Sequence, residues 1–225
     1  MQKFLEIMAY KAVVIGAHGL IGSKLLNILW QWSEYNEIVS LGRKKVNLKN
    51  KKLLQYIVDL DNIENYESLI TGRVVFCCLS ARPDSRKNTK DKKTIDHDYP
   101  IKLAEIARRN NVEQFHLVST IGANKNSANG HLKMRGEVEE AIKAIGIDCL
   151  HIYQPSVLSG HKEGRPLAEQ FTLGVMNIIN PVLLGPLKKY RSIPAFSVAM
   201  AMYKESLKNK EGVFIHTSDK IKRIS

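Results

Sequence analysis

The chain has 225 residues, is 44% hydrophobic and carries a formal net charge of +12. That length and apolar content suit one large α/β domain spanning the whole chain rather than two small ones. No window reaches the ~20 apolar residues a membrane-crossing helix needs, and Cys77, Cys78 and Cys149 sit in apolar runs without metal-type spacing, so the expectation is a soluble, cytoplasmic protein with reduced thiols.

In chain order, short β-branched runs alternate with longer amphipathic stretches, the pattern of successive βαβ units in a parallel sheet. Strands are predicted at 12–15, 37–41, 54–58, 74–79, 115–118, 148–153 and 213–216, and helices at 20–31, 65–70, 98–109, 134–144 and 197–207. Right-handed crossovers wind such elements into a doubly wound Rossmann-type sheet in a three-layer α/β/α sandwich. The polar segments 80–93 and 124–130 read as mobile loops. Segment 155–195 is the expected place for substrate-pocket elements.

At the junction of the first strand and first helix stands Gly16-Ala17-His18-Gly19-Leu20-Ile21-Gly22. In a dinucleotide turn the first glycine permits the tight bend, the second lets a pyrophosphate approach the backbone, and the third lets helix and strand pack closely. An NAD-selective site places an acidic residue about 20 positions later, at the end of the second strand. That strand ends instead in Gly42-Arg43-Lys44-Lys45, whose guanidinium suits a 2′-phosphate, so NADP(H) is expected over NAD(H). Asp59, after the third strand, is either an acceptor for the adenine amino group or a strand-ending turn aspartate.

Basic clusters at 43–45, 49–52, 86–93, 188–191 and 220–223 allow a polyanionic partner. They are lysine-dominated, scattered, and accompanied by no nucleic-acid-binding motif, so nucleic acid is expected to bind weakly and nonspecifically if at all.

Beyond these motifs the chain resembles the atypical short-chain dehydrogenase/reductase relatives, and most closely the Tat-interacting-protein oxidoreductase family. The carriers are the glycine turn, Leu41-Gly-Arg-Lys44, Val58-Asp59, Val75-Phe-Cys-Cys-Leu79, Asp96-His-Asp-Tyr99, Leu117-Val-Ser-Thr-Ile-Gly-Ala123 and Gly136-Glu-Val-Glu139. The resemblance implies NADPH bound by Gly16, His18, Leu20 and Ile21 at the pyrophosphate, Arg43 at the 2′-phosphate, Asp59 and Leu60 near adenine, and Leu79 and Ser80 along the ribose. Lys44 joins Arg43 as a second cation.

The family's catalytic serine falls at Ser119, but its tyrosine and lysine positions hold His131 and Arg135. His131 can shuttle a proton, whereas Arg135 can hold a ribose but cannot act as a base. Both also fit ordinary helix-surface positions on a scaffold without catalysis. Ser119 either meets a substrate carbonyl or bonds neighbouring groups. Tyr99 is a core-packing residue rather than a replacement acid, and Gln154-Pro155-Ser156 stands where the family often has Arg-Pro-Gly. Three readings stay open: an NADP(H)-dependent oxidoreductase with a small-molecule substrate, a non-catalytic NADP(H)-sensing interaction protein, and a basic polyanion binder. Nothing in the pattern specifies a substrate or an oligomeric state.

Overall fold

The computed structural model describes residues 10–81, 93–159 and 183–225. The apolar runs pair as β1 (Tyr10–Ile15), β2 (Tyr35–Gly42), β3 (Leu53–Ile57), β4 (Val74–Cys77), β5 (Gln114–Val118), β6 (Cys149–Gln154) and β9 (Gly212–Thr217). All are parallel, in the order β3-β2-β1-β4-β5-β6-β9. The central strands are buried on both faces, which is why Ala12 to Ile15 and Val74 to Cys77 are apolar throughout. A two-stranded pair, β7 (Leu158–Ser159) with β8 (Ile193–Pro194), stands apart.

Helices cover both faces. On one, α1 (Leu20–Gln31) and α4 (Ala195–Ser206) pack around Leu25, Leu29, Phe76 and Met202. On the other, α2 (Tyr99–Arg109) and α3 (Gly130–Ile145) enclose Leu103, Phe115, Val138 and Ile152. A last helix, α5 (Ser218–Ile224), follows β9. This is the doubly wound three-layer arrangement expected from the alternation.

Two local expectations change. The helix expected at 65–70 is a 3-10 segment, Leu60–Leu69, broken at Asn62. It starts early because Asp59 accepts from the Asp61 N–H at 3.1 Å and from Asn62 Nδ2 at 2.8 Å. Segment 124–130, expected to be a mobile loop, is a bonded turn. The Asn124 N–H donates to the Leu132 carbonyl at 3.0 Å, and Asn129 Oδ1 accepts from the N–H groups of His131 and Leu132, starting α3 four residues sooner than periodicity suggested. Most of the other loop, 82–92, and the central part of the expected pocket segment, 160–182, lie outside the described residues.

Candidate functional site

The sheet order reverses between β1 and β4, and ligands of such sheets sit in the crevice at the carboxyl ends of the strands there. The glycine turn occupies that point. Gly16 has φ +88°, and a Cβ on it would lie 2.5 Å from the Cys78 carbonyl oxygen, so both conformation and space demand glycine. A Cβ on Gly22 would lie 2.3 Å from the Gly16 carbonyl oxygen, which lets α1 press onto the turn. Gly19 donates to that same carbonyl at 2.9 Å and forms the N-cap of α1, whose first turn contains no acidic residue to compete for an anion. Ile21 is buried in the core, leaving its backbone for a ligand, whereas Leu20 is half-buried.

His18 is exposed and its Nε2 lies 3.2 Å from the Lys45 carbonyl oxygen. This contact holds the loop after β2 beside the glycine turn. Arg43 and Lys44 are exposed on that loop, and the Val58 N–H donates to the Gly42 carbonyl at 3.0 Å at its base. Asp59 is the capping aspartate of the following 3-10 segment, with both oxygens already engaged there. Leu60 and Leu79 are buried in the second core, and Ser80 is exposed beyond β4.

Ser119, His131 and Arg135 are not joined into one constellation. Ser119 is buried at the end of β5 and its hydroxyl donates to Glu139 Oε1, while Gln154 Nε2 donates to both Glu139 oxygens, at 3.0 and 2.9 Å. Burial pushes the Glu139 carboxyl up from the usual glutamate range, and the Ser119 and Gln154 hydrogen bonds only partly oppose this. Arg135 is not the surface residue that one reading made it. Only 4% exposed, it places Nη2 2.9 Å from Asp96 Oδ1, and that oxygen also accepts from the Ala81 N–H at 2.9 Å. Among the described residues, Arg135 Nε and Nη1 are buried without a hydrogen-bond partner. His131 is exposed at the start of α3, and no hydrogen bond among the described residues ties its ring to Ser119 or Arg135. Eight residues of helix put it about 12 Å along the axis from Glu139.

Tyr99 packs against the second core and donates its hydroxyl to Asp61 at 2.6 Å; burial, with Asp61 beside it, raises its pKa, so it is a poor proton donor. Asp96, Glu139 and Gln154 received no role from the sequence. The spacing of Arg135 and Glu139, four apart on one helix face, was the available signal.

A parallel sheet reversing at a glycine turn, with a helix N-terminus and a cationic loop converging there, defines a dinucleotide-binding protein of Rossmann type. The chain belongs to the NAD(P)H-binding family, whose model matches residues 16–150. Protein HTATIP2 of Rattus norvegicus is 31% identical over 167 residues, covering 70% of this chain and 68% of that protein. The mitochondrial protein FMP52 of Candida glabrata is 33% identical over 154 residues, covering 67% of this chain and 65% of its own length. Among solved structures, the Bordetella bronchiseptica enzyme WbmH in complex with NAD+ superposes with TM-score 0.71 at 13% identity, over 93% of this chain and 76% of that one. The UDP-N-acetylglucosamine 4-epimerase from Methanobrevibacter ruminantium M1 gives TM-score 0.67 at 18% identity, over 93% and 76%. These structures bear on the fold alone. The HTATIP2 match and the family model bear out the resemblance to the Tat-interacting-protein family. No helix among the described residues is long and apolar enough to cross a membrane.

Proposed function

We propose that this chain binds NADP(H) in preference to NAD(H), and that it is an oxidoreductase-like protein reducing ordinary carbonyl substrates slowly or not at all. The observation that carries the cofactor choice is the end of β2, where exposed Arg43 and Lys44 replace a carboxylate and the His18–Lys45 contact sets them beside the glycine turn. The chain's residues fit the group: Gly16 and Gly22 let strand and helix close into the tight turn, the N-cap of α1 has no side-chain cap hydrogen bond, and among the described residues the buried Arg135 Nε and Nη1 have no acceptor. Bound, NADPH would supply a hydride. Slow turnover follows from the chain's own groups: the Ser119 hydroxyl is given to Glu139, Arg135 is held by Asp96, and His131 stands where the family has tyrosine.

Titration calorimetry tests the cofactor choice. Arg43→Ala should weaken NADPH binding by about 1.5–3 kcal/mol and NADH binding far less. Equal wild-type affinities for the two would overturn it. For the chemistry, His131→Tyr with Arg135→Lys should raise NADPH-dependent reduction of an aldehyde and ketone panel above wild type, the single changes doing less. Robust wild-type turnover lost in His131→Ala would make His131 the working acid instead.

The sensing reading keeps its place because of the orphaned Arg135 donors, which an acceptor-rich ligand would satisfy, so that cofactor binding stabilises the fold without hydride moving. Cytoplasmic residence is part of the proposal. Fractionation with mitochondria, where the FMP52 names place those proteins, would replace it.

A further inference from the structure

On the face of the sheet covered by α4, β5, β6 and β9 carry His116, His151, Tyr153 and His216, all buried and stacked ring on ring. The dinucleotide turn uses none of them. His151 and His216 turn nitrogens toward each other, with Nδ1 of the first 2.9 Å from Nε2 of the second. Glu205 of α4 reaches the same point: one nitrogen of each ring and one Glu205 oxygen all lie within 4.8 Å of one another.

We propose that His151, His216 and Glu205 form a binding site for a divalent transition-metal ion of the zinc type. Two imidazoles and a carboxylate are a donor set that zinc accepts, and a fourth position stays open. Zinc bonds of ~2.0–2.1 Å in a tetrahedron place ligand atoms about 3.4 Å apart, so the two nitrogens must part by about 0.5 Å and the widest of the three separations, within 4.8 Å, must close by up to about 1.4 Å. An ion in that gap takes Nδ1 of His151 and leaves its Nε2–H to the Cys149 sulfur, 3.2 Å away, an outer partner of the kind that orients a ligating ring.

Charge and access agree with this. Glu205 is paired with Lys208 at 2.5 Å and Lys210 at 2.9 Å, and these lysine side chains are 48% and 36% exposed, so both ammonium groups can swing into solvent when a cation takes the carboxylate. A cleft at the amino-terminal edge of β5, β6 and β9 is lined by Glu113, Asp148, Lys210 and Glu211, of which Glu113 is paired with Arg73 at 2.9 Å and Asp148 with Arg108 at 3.0 Å.

The test is a titration of chelator-stripped full-length protein with Zn2+ against a chromophoric competitor, with Co2+ titrated in parallel. Expected are one equivalent of tightly bound Zn2+, visible ligand-field bands with Co2+, and affinity reduced at least about tenfold in His216→Gln and in Glu205→Gln. Lys210→Ala, an exposed change that leaves the core intact, should bind Zn2+ more tightly because a competing ammonium is gone. Absence of a stoichiometric site, wild-type affinity in His216→Gln, or no gain in Lys210→Ala would each overturn the proposal.

Discussion

Asp96 shows how a residue without an evident role organises the site. It is buried, neutralises Arg135 and accepts the Ala81 N–H, tying the segment after β4 to α3. Removing one partner of a buried ion pair strands the other charge. Asp96→Ala is therefore expected to cost about 3–5 kcal/mol in urea unfolding, and a loss below 1 kcal/mol would mean that Arg135 finds water or another acceptor. Glu139 sets a pH dependence. Its proton is held more tightly in the folded chain than in the unfolded one, so above its ordinary value near 4.5 stability falls as pH rises, until the raised folded value is passed. Glu139→Gln should flatten that fall in melting-temperature profiles taken across mildly acidic pH; an unchanged slope would assign it to another group. The sequence placed Ser119 at a strand end but not its partner. That partner comes from a helix twenty residues on, and only packing of α3 against β5 and β6 brings it there.

Among the elements, the strands were the most legible, because burial on both faces forces continuous apolar runs whose limits a sequence displays. Helix starts were less so. Asn129 and Asp59 begin their elements by side-chain capping, a signal outside the hydrophobic period, which is why α3 and the 3-10 segment both start earlier than predicted. At the first βα turn, the three glycines differ in what they tolerate. Gly16→Val would strike the Cys78 backbone and disturb the β1–β4 pairing, whereas a Cβ on Gly19 meets the Gly16 carbonyl oxygen at 3.1 Å and the Cys78 carbonyl oxygen at 3.6 Å, with ordinary backbone angles. Gly19→Val should therefore abolish NADPH binding in calorimetry while retaining a near-native melting temperature. Normal binding by that variant would place the phosphates elsewhere.

For the molecule as a whole, the net charge of +12 comes from lysine-rich clusters scattered along the sequence. Affinity for duplex DNA should fall steeply between low and physiological salt in fluorescence anisotropy, as counterion release dictates. A sequence-dependent affinity surviving physiological salt would reverse that view. The described face near Ser119 also bears on the choice between enzyme and sensor. An open face there would favour an enzyme and one blocked by Tyr153, Pro155 or Phe171 a sensor; Tyr153 is buried in the core beneath α4, Pro155 is buried, and Phe171 lies outside the described residues.

One consequence of the strand order remains. Among the described residues β3 is an outermost strand with one side of its backbone unpaired, and it exposes Leu54, Tyr56 and Ile57. An open apolar strand edge is a template on which a second chain can continue the sheet and seed insoluble assemblies. Lys45, Lys49 and Lys51 line a hollow with Leu53 and Gln55 of β3, and two copies approaching edge to edge would bring these like charges together. The lysines that make the loop after β2 attractive to a phosphate are thus also gatekeepers of solubility, and conditions that neutralise them expose the chain to aggregation from this side.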